Sequence, residues 1–155
     1  MSGDFMDAGN LCTRGVQTAT RELSVVDAAI RMRSAHVGDL VVTKDKDGVD
    51  FPVGMLTDRD IVISGVATKG GDVSRLRVAD IMTDVIILVR EEDDLETVLR
   101  TMRANGVRRV PVVDRRDALI GIIAFDDIVG YFATEMKNLA RVVSSENLTE
   151  RRRHP

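Results

Sequence analysis

The segment of this 155-residue chain best suited to hold a ligand is Gly54-Met55-Leu56-Thr57-Asp58-Arg59-Asp60. An apolar stretch ends at Leu56, so Thr57 falls at the N-terminus of the next helix and Asp60 one turn inside it. A helix N-terminus turns unpaired N–H groups and the positive end of the helix dipole toward a phosphate, and a threonine hydroxyl there adds a donor. An ionised aspartate only accepts hydrogen bonds, and it can take both protons of a ribose 2′,3′-diol. The same Thr-x-x-Asp pattern has a structural reading, a capping box with Thr57 as N-cap and Asp60 at N3. A second Gly and Asp at the end of a like segment, Gly121 and Asp127, shifts the balance toward a ligand.

Other candidate residues carry less. His36 ends a helical pattern and His154 lies in the tail, with no second His or Cys at ligand spacing, so no metal site is expected. Cys12 aligns with Met82 and reads as a packed thiol. Gly70-Gly71 lacks the Lys-Ser/Thr of a phosphate-cradling loop. Asp58/Asp60 and Asp126/Asp127 have no activated nucleophile beside them, so no catalytic residue and no enzyme activity are expected.

The motifs recur because the chain repeats itself. Val25, Ala28, Ala29, Met32, Arg33 and Val37 match Leu95, Val98, Leu99, Met102, Arg103 and Val107 at a constant offset of 70 (25 to 95, 37 to 107). Leu11-Cys12-Thr13 falls over Ile81-Met82-Thr83 in the same register. Gly54 and Asp60 match Gly121 and Asp127 at an offset of 67 (54 to 121, 60 to 127). A three-residue insertion in the first copy accounts for the change, and the turn-rich stretch Lys44 to Phe51 is its expected place.

Each copy reads as strand, helix, strand, strand, helix. The first strands are expected around Val16 to Ala19 and Val85 to Val89. Ser24 and Asp94 stand where N-caps belong, ahead of apolar residues at i, i+3, i+4 and i+7. Gly38 and Gly106 interrupt near the helix ends. Leu40 to Thr43 and Val110 to Val113 read as buried strands. Polar turns, Lys44 to Asp50 and Asp114 to Asp117, lead to second strands at Pro52 to Leu56 and Leu119 to Ala124. Helices follow Thr57 and Ala124.

The expected fold is α/β (α+β), two β-α-β-β-α repeats packed about a pseudo-twofold axis, since neither half buries a core alone. Residues 1–7 form a tail, 8–67 the first repeat, 68–77 a linker with a Gly-rich loop at Thr68 to Asp72, 78–133 the second repeat, and 134–155 a helical extension with a basic tail. After Val129, Phe132, Ala133, Met136, Leu139, Ala140 and Val143 continue an apolar stripe from the second repeat into that extension, while Arg151 to Pro155 reads as a frayed end.

Composition narrows the class. Hydrophobic residues make 44% and charged residues 30% of the chain, with a net charge of -3, which gives no pull toward nucleic acid or acidic membrane. No apolar run reaches the ~20 residues of a membrane span. One cysteine and an N-terminus of acids and glycines point to a cytoplasmic protein. Aromatics are 3% with no Trp, too few for base-stacking platforms.

Asp80-Ile81-Met82-Thr83, Val107-Arg108-Arg109-Val110-Pro111-Val112-Val113-Asp114 and the Gly54 to Asp60 string together resemble a tandem pair of CBS repeats (cystathionine-β-synthase-type, a Bateman module) over Ala8 to Phe132. The resemblance implies a regulatory module that binds AMP, ADP or ATP in clefts between its repeats and dimerises as a flat disk. It makes Asp60 the ribose-binding acid, Thr57 the phosphate-side hydroxyl, Arg108 and Arg109 the basic pair reaching phosphates, and Thr83 a residue beside the adenine. Asp127 and Thr13 take the matching roles in a second cleft, which has Ala124 in place of Thr57 and is therefore expected to be weaker. Apolar walls come from Ile86 and Ile87 in one cleft and Val16 and Thr18 in the other. A homodimer is expected, with the second-copy helices and the C-terminal extension at or near the contact, and a regulated protein partner is compatible with it. The alternatives are a ligand-free scaffold for dimerisation or docking, and a sensor of S-adenosylmethionine or a dinucleotide. Nucleic acid is disfavoured, because Asp114 and Asp117 offset Arg115 and Arg116.

Overall fold

The computed structural model describes residues 6–84 and 86–153, and each half of the chain runs through the same order of elements. The first half has α1 (Ala8–Leu11), β1 (Thr18–Ala19), α2 (Val25–Ala35), β2 (Asp39–Lys46) and β3 (Val49–Thr57). A continuous helical stretch follows, made of α3 (Asp58–Asp60), a π-helical segment (Ile61–Val66) and α4 (Ala67–Lys69), and then a 3-10 segment (Gly70–Arg75). The second half has α5 (Val78–Ile81), β4 (Val89–Arg90), α6 (Leu95–Asn105), β5 (Arg109–Val113), β6 (Leu119–Ala124) and α7 (Phe125–Arg153).

Local chemistry sets the long helices. Ser24 Oγ accepts from Asp27 N at 2.9 Å and Asp94 Oδ1 from Thr97 N at 2.8 Å, so both expected N-caps form. The bond from the Thr97 amide holds the exposed Asp94 carboxyl below its ordinary range. At the other end Gly106 takes the left-handed cap (φ 64), but in the first copy His36 does so (φ 54), not Gly38. A Cβ in that conformation is strained, so His36→Gly is expected to stabilise the fold by about 0.5–1 kcal/mol. A thermal melt would show this as a rise of roughly 1–4 °C.

The strands form two three-stranded sheets, in the orders β1-β2-β3 and β4-β5-β6. Ala19↔Val42 and Val89↔Val112 are matching parallel pairs. Both first strands are shorter than expected. Thr13 is paired to the other repeat and Gly15 turns the chain at φ 72, which leaves Thr18 and Ala19 to run along their own sheet. In the second copy the strand covers Val89 and Arg90, and Val85 lies outside the described residues.

The insertion also takes a different form from the expected loop. Lys44 to Lys46 and Val49 to Phe51 extend the β2–β3 hairpin, paired Lys44↔Phe51 through Lys46↔Val49 beyond a bulge at Val42/Thr43. Only Asp47 and Gly48 turn, at φ 56 and 77, which fits the Asp-Gly signature of a type I′ hairpin. The expected Gly-rich loop is likewise ordered: Thr68 and Lys69 finish α4, Gly70 breaks the helix at φ 54, and the 3-10 segment follows.

The two repeats exchange their opening segments. Ala8 N donates to Asp93 O at 2.8 Å, and its counterpart Val78 N donates to Leu23 O at 2.9 Å. Gly9 N reaches Glu91 O, and Ala79 N reaches Arg21 O, each at 2.9 Å. Thr13 pairs with Ile122 on one sheet and Thr83 with Met55 on the other. Each bond has its mate at the repeat-equivalent position, which defines the expected pseudo-twofold relation. The first sheet's core, with Leu40, Val42, Leu56, Ala28 and Met32, is accordingly completed by Val78 and Met82 of the second copy.

That exchange accounts for the recurring glycine. A Cβ at Gly54 would overlap Met82 Cε and stand 2.5 Å from the Thr83 carbonyl oxygen. At Gly121 it would overlap Cys12 Sγ and stand 3.0 Å from the Thr13 carbonyl oxygen. Cys12 is a packed thiol: its Sγ donates to Gly9 O at 3.4 Å, and burial pushes its pKa up.

Residues 124–155 form a separate compact unit. Within it α7 is helical through Arg153, so Arg151 to Arg153, expected to fray, continue the helix. His154 and Pro155 lie outside the described residues. Every residue from Phe132 to Ser144 is exposed in the single chain, including Phe132, Met136, Leu139 and Val143.

Candidate functional site

The end of β3, the turn into α3 and the start of β5 surround a pocket of about 460 Å³. Its lining includes Thr57, Asp60, Thr83, Arg108 and Arg109, five of the residues singled out in the sequence, together with Ile87. Ile86, half-buried, is not among the lining residues. Thr13 and Asp127 stand outside this pocket as well: Thr13 pairs with Ile122, and Asp127 Oδ2 accepts from Ala124 N at 2.8 Å at the start of α7.

The exchanged opening segments explain why distant residues meet here. Met55 N donates to Thr83 O at 3.1 Å and Thr83 N to Met55 O at 2.9 Å, so the segment after α5 is fixed two residues from Thr57. Thr57 and Asp60 then form a complete capping box. Asp60 N donates to Thr57 Oγ1 at 3.1 Å, while Asp60 Oδ2 accepts from Thr57 N at 2.8 Å and from Thr57 Oγ1 at 2.7 Å. The single hydrogen of the Thr57 hydroxyl is thus directed at Asp60, and Asp60 Oδ1 takes no part in the box. The capping role foreseen as the structural reading is real, and it holds the carboxylate fixed at the pocket edge.

Asp39, Asp58 and Arg59, to which the sequence reading gives no ligand-binding role, also line the pocket. Asp39 Oδ2 receives Arg109 Nη1 at 2.7 Å, with the Asp39 side chain 11% exposed and that of Arg109 46%. Burial pushes the Asp39 carboxyl up, with Asp58 adding to that push, while the Arg109 guanidinium pulls it down. Positions 39 and 109 are equivalent in the two repeats, so this pair sits on the pseudo-twofold relation itself. Opposite charges at equivalent positions of a repeat were the available signal for it.

Two exchanged β-α-β-β-α repeats with a cleft between them define a paired regulatory ligand-binding module. The CBS domain family model matches residues 8–65 and 78–134, and the chain belongs to that family as a tandem pair. It is 32% identical over 124 residues to uncharacterized protein MK0525 of Methanopyrus kandleri, covering 80% of this chain and 61% of that protein, so it spans less than two thirds of that relative. It is 36% identical over 125 residues to hypoxic response protein 1 of Mycobacterium tuberculosis, 81% of this chain and 80% of that one. The crystal structure of hypoxic response protein I, with two coordinated zinc ions, superposes with a TM-score of 0.70 at 31% identity, over 80% of this chain and 97% of that one. The CBS domain pair of protein MJ0100, in complex with 5′-methylthioadenosine and S-adenosyl-L-methionine, shares the fold with a TM-score of 0.73 at 24% identity, over 84% and 98%. Among the described residues no three His, Cys, Asp or Glu side chains gather as a metal site, and no described helix is long and apolar enough to cross a membrane.

Proposed function

We propose that this CBS pair binds an adenine nucleotide, of the AMP, ADP or ATP class, in the Thr57–Asp60–Arg109 pocket and relays occupancy through the shape of a homodimer or to a bound protein partner. The observation that carries this reading is the convergence of an acid, a helix-terminal hydroxyl, two arginines and Thr83 on one pocket from segments up to 52 residues apart (57 to 109). Its volume lies in the range of small-molecule sites, roughly 300–1,000 Å³. Asp60 takes the ribose diol through Oδ1, Arg108 and Arg109 face the phosphates, and Thr83 and Ile87 flank the base. The role is binding in the cytoplasm rather than turnover.

A thermal-shift panel of adenosine, AMP, ADP, ATP and S-adenosylmethionine tests this reading. A ligand at 100 times its Kd stabilises the native state by about 2.7 kcal/mol. The reading expects a rise of several degrees with at least one adenine nucleotide. A response to S-adenosylmethionine alone would move the site to that ligand class, the one held by the MJ0100 pair. No response to any of them favours a ligand-free scaffold, which the capping hydrogen bonds of Asp60 and the Asp39–Arg109 ion pair support because both form without a ligand.

The homodimer is proposed to use α7. Phe125, Val129, Phe132, Met136, Leu139 and Val143 recur at alternating steps of four and three, the spacing of a helix–helix seam. An isolated helix gains little stability in water without a partner for such a stripe. Light scattering at roughly tens of micromolar should give a dimer. Met136→Glu/Leu139→Glu should shift it to monomer, and a wild-type monomer at that concentration would exclude the dimer.

A further inference from the structure

The pocket carries as many acids as bases. Arg59, Arg108 and Arg109 line it together with Asp39, Asp58 and Asp60. Of these, Asp39 is the most enclosed, and it is bonded to the one arginine that starts β5. Asp58 closes in from the other side: its carboxylate lies over Gly38, where a Cβ would stand 3.2 Å from Asp58 Oδ2, and its amide donates to Gly38 O at 2.9 Å. Of the two guanidiniums that would meet a phosphate, that of Arg109 is therefore already neutralised, at a point flanked by two carboxylates.

A phosphate can approach Arg109 in only two ways. It can share the guanidinium, whose five N–H donors allow more than one acceptor, or it can displace Asp39. In either case Asp39 and Asp58 repel the incoming charge, and the repulsion grows with each further phosphate. We propose that Asp39 is the residue that sets the phosphate preference of this pocket, restraining Arg109 so that a nucleoside or nucleoside monophosphate is favoured over a triphosphate. This inference rests on the nucleotide reading above and adds its selectivity. Asp39 acts through Arg109, as a specificity residue rather than a contact to the base or ribose.

Calorimetry of adenosine, AMP and ATP binding to the full chain tests it. Wild type should bind ATP no more tightly than AMP. Asp39→Asn keeps a hydrogen-bond acceptor for Arg109 but removes the charge, and should tighten ATP about tenfold, AMP about threefold and adenosine not at all. Adding Arg109→Ala to Asp39→Asn should erase most of that gain, which a general change in fold would not do. Asp58→Asn, at an exposed position, should shift ATP the same way by about twofold to threefold, and it carries the test if Asp39→Asn does not fold. Wild type binding ATP tighter than AMP, or Asp39→Asn changing all three ligands equally or weakening ATP, would overturn the inference while leaving nucleotide binding intact. Binding of none of the three to any variant would overturn it together with the nucleotide reading.

Discussion

Replacing Asp60 with alanine is expected to abolish the stabilisation that an adenine nucleotide gives the wild-type protein. Hydrogen bonds to a carboxylate contribute about 1.5–3 kcal/mol, and a ribose diol offers two, so the loss in binding should be about 2–4 kcal/mol. That is roughly a thirtyfold to thousandfold rise in Kd. The same carboxylate accepts from Thr57 N and Thr57 Oγ1, so the variant should also lose about 1 kcal/mol of stability without ligand. Paired melts separate the two effects. The apo Tm should fall by roughly 2–4 °C, and the several-degree gain with saturating AMP or ATP should vanish. If the capping box is the only role of Asp60, the apo loss appears alone and wild type shows no nucleotide-dependent gain to lose.

The second large effect is architectural. Gly54→Ala places a methyl group against Met82 Cε and 2.5 Å from the Thr83 carbonyl oxygen, where the opening segment of the second copy crosses β3. The backbone there is held by the paired Met55–Thr83 bonds and cannot retreat without breaking them. Overpacking of this kind costs about 2–3 kcal/mol, which for a chain this size lowers Tm by roughly 5–10 °C. Gly71→Ala is the control, since a Cβ there meets nothing within 4 Å and its φ is not positive. A Gly54→Ala melt as mild as that of Gly71→Ala would show that the crossing is looser than the contacts require.

The repeat was legible because it is written twice. The Ser24 and Asp94 caps, the apolar helix faces and the Leu40 and Val110 strands follow local rules that hold in any context, and they formed as read. What failed depended on partners or on unusual backbone. Lys44 to Lys46 look like a turn by charge, yet they are exposed positions of a two-stranded hairpin extension, where charge is tolerated on both faces. His36 took the left-handed cap because the helix ended there, although Gly38 looked the better stop. Gly54 and Gly121 were legible as a recurring motif but not as a crossing, since the atoms they avoid lie in the opposite repeat. The site divides the same way. Thr57 and Asp60 declare themselves three residues apart, whereas Asp39 becomes a site residue only through Arg109, which is brought to it by the fold.

The most direct test of nucleotide binding is an amide NMR titration of the 15N-labelled full chain with AMP. Binding in the proposed pocket predicts saturable shifts concentrated at Gly38, Asp39, Thr57 to Asp60, Thr83 and Val107 to Arg109, the residues that surround the 460 Å³ space. Those shifts should be absent with Asp60→Ala at the same AMP concentration. Saturable shifts confined to other surfaces, or none up to roughly millimolar AMP, where even the weakest specific sites respond, would contradict the account.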